Sequence, residues 1–167
     1  KGWTIEGNAI LDGNTVKMGT EDITITAKWQ INTYTIKFDV NGGQEQINER
    51  KVQYKEKIGE LIILTKKGYT FEGWYNGNKK VEPTTLVKEN ITLVAHYTIN
   101  EYTLTIDPNG GIYNNNAKQT IYKIKYQDKI EISNPTRDGY IFKGWTIEGN
   151  AILDGNTVKM GTEDITI

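Results

Sequence analysis

Apolar and polar residues alternate with a period of two along much of this chain, and the stretches where they do so predict strands. Over residues 34–40, Tyr34, Ile36, Phe38 and Val40 point one way and Thr35, Lys37 and Asp39 the other, until Asn41-Gly42-Gly43 breaks the run with residues that tolerate positive φ. A second strand is predicted at about 51–54, matched by 122–126, which gives a hairpin with a long polar loop. A third covers 69–75, with a counterpart at 140–146. There Tyr69, Phe71 and Gly73 share one face and Trp74 falls on the other, so strict alternation places Trp74 outside. The glycines just before Trp74 and Trp145, Gly73 and Gly144, predict a bulge that turns both indoles back onto the core, or else a cover over the second face. The last strand, 91–97, directs Ile91, Leu93, Ala95 and Tyr97 inward, as 23–29 does with Ile23, Ile25, Ala27 and Trp29. Between the third and last strands there is room for one helical turn near 83–88, with Pro83 at its first position. The expected fold is mainly β, α+β at most, built of small modules that are each a roughly four-stranded sheet with at most one short helix. Its expected core is Trp29, Phe38, Tyr69, Phe71, Trp74, Tyr97, Ile106, Tyr140, Phe142 and Trp145.

The same pattern recurs because the sequence does. Residues 143–167 repeat 1–25 without a difference, and YTIKFDVNGG at 34–43 reappears as YTLTIDPNGG at 102–111. GYTFEGW at 68–74 likewise returns as GYIFKGW at 139–145. Two unlike modules therefore alternate, and the chain reads as a window on a tandem array. Residues 1–29 are the C-terminal half of a module, 34–97 a complete one, and 102–167 one that lacks its last residues. The linkers are 30–33 and 98–101. The half module has a third and a last strand but no first hairpin, so it is expected to pack against a neighbouring chain.

Modules of about 65 residues bury only about 60% of the surface an unfolded chain exposes, so contacts between neighbours are expected to support them. The linkers lack Gly, Ser and Pro tracts and span at most about 14 Å. Ile31 and Ile99 are expected to anchor on adjoining modules, making the junctions stiff and the array extended. Lysine and arginine number 20 against 21 acidic residues, a balance that offers no field for nucleic acid or an anionic membrane. With no cysteine, disulfides and thiolate metal sites are excluded. No apolar run approaches the roughly 20 residues that cross a bilayer, and no signal peptide is visible.

These residues resemble the Listeria-Bacteroides repeat, the internalin-type B repeat of Gram-positive surface proteins. The resemblance is carried by the YTxxFDxNGG-like starts at 34–43 and 102–111 and a Pro-Thr-basic-acidic-Gly-Tyr step at 135–140. Gly73-Trp74, Gly144-Trp145 and the DITLxAxW-like ends at 22–29 and 90–97 complete it. The central module departs in having Leu64-Thr65-Lys66-Lys67 at the Pro-Thr-basic-acidic step and Tyr97 in place of tryptophan. The resemblance implies a β-grasp-like module, strung in arrays on secreted or cell-wall-anchored proteins, that acts as a stalk or a weak adhesive element without a catalytic site.

Residue chemistry points the same way. His96 is the single histidine, stands where the other module type has Lys28, and is expected on the solvent face; serine occurs once, at Ser133, so no Ser/His/Asp arrangement is evident. Asp39-x-Asn41-Gly42-Gly43 and Asp107-x-Asn109-Gly110-Gly111 invite a calcium reading, but too few oxygen ligands are local and an Asx turn is the simpler account. Trp3, Trp29, Trp74 and Trp145 offer stacking faces for a sugar, yet core filling explains their fixed positions more simply. A Lys–Asn side-chain cross-link would need both residues buried beside an acid. If a ligand is bound, the unequal loops 44–50 and 112–120 are the candidates, with Tyr113, Asn114, Asn115 and Asn116 the first choice. No cofactor or metal is expected. The expected partners are neighbouring modules of the same chain and, if the repeats are adhesive, a host glycoprotein, glycan or matrix protein bound through many weak copies. The leading expectation is a non-enzymatic extracellular spacer that projects a distal domain; the alternative is an adhesin repeat.

Overall fold

The computed structural model describes residues 2–167; Lys1, the first residue of the expected half module, lies outside them. Among the described residues there are fifteen strands and no helix. In the half module, β1 (Gly2–Glu6) pairs antiparallel with β4 (Thr24–Lys28), and β2 (Ile10–Asp12) forms a hairpin with β3 (Thr15–Lys17). None of these joins the sheet of the next module.

The central module is built on β5 (Thr33–Asp39), β6 (Arg50–Gln53), β7 (Tyr69–Asn76), the two-residue β8 (Lys79–Lys80) and β9 (Ile91–Ile99). They form one mixed sheet in the order β6-β5-β9-β7-β8, with β5 and β9 parallel at its centre, Ile36 opposite Ile91 and Phe38 opposite Leu93. This central parallel pair flanked by hairpins is the β-grasp-like arrangement, without the helix. Ile36, Leu93 and Ala95 are fully buried on the inner face. The other half of the core comes from irregular segments that cross that face and supply Ile58, Leu64, Val81 and Val87. The helical turn expected near 83–88 does not form. Residues 82–85 instead close one tight turn, Thr85 N–H donating to Glu82 O at 2.9 Å, and the segment bonds across to 55–59, with Lys55 N–H donating to Val87 O at 2.7 Å, Val87 N–H to Glu56 O at 2.9 Å and Ile58 N–H to Thr85 O at 2.8 Å. Those bonds satisfy the peptide groups of both segments at once, which a single helical turn does not.

The bulge forms at the position the glycine marked. The register of β7 on β9 shifts between Phe71 and Gly73, Gly73 adopts φ 138°, and Trp74 falls opposite Ala95 at 1% exposure. Its Nε1 donates to Ile62 O at 2.8 Å, and Phe38 and Phe71 meet it edge-on at 5.2 and 6.0 Å.

The third module repeats this plan with β10 (Glu101–Ile106), β11 (Thr120–Lys125), β12 (Lys129–Glu131), β13 (Ile152–Asp154), β14 (Thr157–Lys159) and β15 (Ile165–Thr166). One sheet has the order β11-β10-β15, with β15 parallel to β10 as β9 is to β5; a second, β12-β14-β13, covers it. Ile106 is fully buried between them. The strand expected at 140–146 is not formed, because its partner would lie beyond β15. A single bridge, Glu148 to Thr166, marks the start of that pairing, in the register that joins Glu6 to Thr24 in the half module.

Two expected core residues are therefore outside. Tyr140, without its strand, is 67% exposed, and Trp29 is 90% exposed because the half module has no first hairpin to cover it. Phe142 and Trp145 are half-buried against each other, their rings 5.3 Å apart. Phe38, Tyr69, Phe71 and Tyr97 are half-buried at the margin of the central core. The identical segments isolate the cause, since Met18 is 61% exposed and Met160 only 1%, with β10 and β11 covering the latter alone.

Candidate functional site

The best-built polar feature lies where the central and third modules meet. Residues 98 and 99, expected in a linker, extend β9 instead, with Thr98 opposite Thr70 and Ile99 opposite Tyr69, and β10 begins at Glu101. Only Asn100 stands between the two sheets. Its N–H donates to Gly68 O at 3.0 Å and its carbonyl accepts from Tyr126 N–H at 2.9 Å, one bond to each module. Its side chain does the same, accepting from Thr70 Oγ1 at 2.6 Å and donating from Nδ2 to the Tyr102 hydroxyl at 3.3 Å. Beside it the Tyr126 ring stands edge-on to Tyr69 at 6.2 Å and lies directly on Gly68, where any Cβ would clash with it. The preceding linker repeats the contact, with Tyr54 N–H donating to Asn32 O at 2.8 Å. Ile31, expected as an anchor, is 50% exposed, and the bond to the next module is made by the asparagine that follows Ile31 and Ile99. Its recurrence at 32 and 100 was the available signal.

The basic residue of the Pro-Thr-basic step also has a structural task. Arg137 donates to Asn109 O at 3.2 Å and lies 4.1 Å from the centre of the Tyr140 ring. In the central module Lys66 donates to Asn41 O at 3.0 Å and sits over both Tyr69 and Tyr97. Each caps the Asn-Gly-Gly turn and seats an aromatic ring by cation–π contact.

Tyr113, the first choice for a ligand-contact loop, is a core residue. It is 2% exposed, meets Trp145 edge-on at 5.9 Å, and burial pushes its phenol above the usual range. Asn114 and Asn115, at φ 50° and 63°, form a two-residue turn closed by paired bonds between Tyr113 and Asn116, each 2.9 Å. Asn114 Oδ1 accepts from Ser133 Oγ at 2.7 Å, and Asn116 Oδ1 from Lys118 N–H at 2.9 Å. The three asparagines are exposed, but their geometry is that of a turn whose aromatic anchor faces inward.

The aspartates of the Asp-x-Asn-Gly-Gly strings accept Asx-turn bonds, Asn41 N–H to Asp39 at 2.9 Å and Asn109 N–H to Asp107 at 2.8 Å. A hydrogen bond from the Gln119 side chain, then that from Asn109, holds the Asp107 carboxyl below its usual range. Among the described residues no three His, Cys, Asp or Glu side chains gather as a metal site. His96 is exposed and stacks flat on Tyr75 at 4.0 Å, in a different module from Ser133. No charged or polar residue is fully buried among those described, so the buried Lys–Asn–acid set of a cross-link is not present there.

The profile of the Listeria-Bacteroides repeat domain matches residues 34–96 and 102–167. The chain belongs to this family. It is 36% identical over 153 residues to a provisionally named Gly-rich membrane protein of Evansella cellulosilytica, covering 86% of this chain and 17% of the relative. A second provisionally named membrane protein of that organism is 37% identical over 131 residues, 75% of this chain and 19% of the relative. Internalin H of Listeria monocytogenes is 39% identical over 107 residues, 61% of this chain and 19% of the relative. The chain thus spans less than a fifth of the length of these relatives. No solved structure gives a significant match.

Proposed function

We propose that this chain is part of a non-enzymatic extracellular stalk, a run of repeats that spaces a distal domain away from the surface of a bacterium. The observation that carries the reading is the Asn100 junction, in which one residue bonds to both modules through its main chain and its side chain. A flexible tether would not need those bonds, and a stiff spacer does. Membership of a repeat family found in Internalin H, and the relatives named as membrane proteins, support a location at the cell surface, on a secreted or wall-anchored parent. The site chemistry contributes turns, caps and ring contacts.

Small-angle scattering on arrays of two, four and six modules tests this. A stiff stalk grows by a constant step of about 30 Å per module, whereas flexibly joined modules grow more nearly as the square root of their number. Saturable binding of the same arrays to host glycoprotein, glycan or matrix panels would favour the adhesive role instead.

A further inference from the structure

The chain enters the central module at Thr33, the first residue of β5, and leaves it at Ile99, the last residue of β9. These two strands lie side by side and parallel, so entry and exit are at opposite ends of the pair. A pull along the chain therefore drives β5 and β9 past each other along their own axis. In that geometry every bond between them is strained at once, whereas strands drawn apart from one end lose their bonds in turn. Neither strand is at an edge of the sheet, since β6 flanks β5 and β7 flanks β9. Ile36 and Leu93, one on each strand, are fully buried beneath the pair, and so hinder the water that must replace its hydrogen bonds as they break.

Side chains lengthen the pairing beyond its ladder, which runs from Ile36 opposite Ile91 to Asp39 opposite Val94. Before it, Asn90 Oδ1 accepts from Thr35 N–H at 2.8 Å. After it, Asn41 Nδ2 donates to Ala95 O at 2.9 Å and the Tyr97 hydroxyl to Val40 O at 2.8 Å. Each tie joins the course of β5 to that of β9, so all three take load together with the ladder. The first recurs in the third module, where Asp164 accepts from Thr103 N–H at 2.7 Å just ahead of Leu104 opposite Ile165. At the exit, β9 passes through Asn100 directly into β10, so tension reaches the next module without a slack linker. We infer that the β5–β9 pair is a load-bearing clamp that keeps the module folded when the array is stretched along its length. Its use at a cell surface rests on the stalk reading; the clamp itself does not.

Resistance to force follows the unfolding barrier and not the equilibrium stability, so optical tweezers on the full chain test this. The sequence has no cysteine, and paired cysteine substitutions therefore give unique attachment points. Gln30→Cys with Glu101→Cys loads the β5–β9 pair lengthwise. Gln30→Cys with Glu89→Cys pulls on the adjoining starts of β5 and β9 and opens the same pair from one end. The unfolding force is expected to be severalfold higher in the first arrangement. Tyr97→Phe keeps the ring against Phe71 and removes only the hydroxyl. It is expected to lower the lengthwise force and leave the end-on force unchanged, because its bond lies at the end that opens last, and a urea titration of the variant verifies that the module is still folded. Equal forces in the two arrangements, or a Tyr97→Phe change of the same size in both or in neither, would overturn the clamp. The stiffness read by scattering, and the stalk reading with it, would be untouched by that result.

Discussion

Trp74 reaches the core because Gly73 accepts a φ of 138° and thereby lets one residue of β7 go unpaired against β9. A Cβ at Gly73 adds backbone strain, on the order of 1–3 kcal/mol for such a conformation, and approaches the Lys80 side chain. Gly73→Ala should therefore lower the stability of the central module by that amount, measured as a shift of the urea midpoint with unchanged slope. Trp74→Ala should cost more, about 3–5 kcal/mol for a buried tryptophan, plus a carbonyl of Ile62 left without its donor. A module of this size holds roughly 3–10 kcal/mol in all, so near-complete unfolding is expected, visible in the one-dimensional proton spectrum. The Gly-Trp signal was legible because a large apolar residue stood on the wrong face of an alternating strand and a glycine beside it offered the remedy. Tyr113 was not legible. It follows a turn, sits in a polar loop, and owes its burial to Trp145, a neighbour that only the fold supplies.

Strands followed the alternation, but the segments that close the core did not announce themselves, because Ile58, Leu64, Val81 and Val87 are spaced without a period and pair through backbone bonds that leave no pattern in side chains. Two carboxylates hold such elements in place. Glu45 accepts from Thr65 Oγ1 at 2.6 Å and from Thr65 N–H at 2.9 Å, and Asp164 accepts from Thr103 N–H at 2.7 Å, locking β15 beside β10. Those hydrogen bonds hold both carboxyls below their usual range, the Thr65 side chain being the larger cause for Glu45 and the Thr103 N–H for Asp164. A depressed folded-state pKa contributes stability that is fully present above the unfolded value, about 4, and is lost as pH falls through the folded one. The unfolding temperature should therefore decline between about pH 5 and pH 3, and Glu45→Gln should flatten that decline for the central module in a calorimetric pH series. The end of the last strand is the second element on which order depends. Identical residues form β1 at 2–6 and no strand at 144–148, since only the first set has a β4 to pair with. Extending the chain after Ile167 by Thr-Ala-Lys-Trp should order 140–146 as a strand and raise the unfolding temperature of the third module, with new slow-exchanging amides at Phe142 and Gly144 as the check.

For the molecule as a whole, the question is whether modules add as identical rigid steps. The repeat itself was plain from the sequence, while the way one module meets the next was not, because the deciding residue is a single asparagine in a segment that reads as a linker. Asn100 continues the hydrogen bonding of β9 into β10, so the joint has main-chain bonds on both sides, and the Tyr126 ring fills the surface that Gly68 leaves bare. Asn32 and Tyr54 repeat the second half of that contact at the preceding joint, where β4 ends at Lys28 and 29–32 lie outside any strand. Asn100→Ala removes only the side-chain bonds, about 1 kcal/mol each, and should leave both modules folded while loosening the joint. Gly68→Val adds a side chain against Tyr126 at a φ of 78° and should pry the modules apart. Residual dipolar couplings decide between these states. In the parent chain the central and third modules should share one alignment tensor and tumble together; in Asn100→Ala the tensors should begin to differ, and in Gly68→Val they should separate fully, with unfolding temperatures of the third module unchanged. Equal tensors in all three would mean that stiffness comes from the strand continuity of β9 and β10 alone, and different tensors in the parent would remove the physical basis for a stalk.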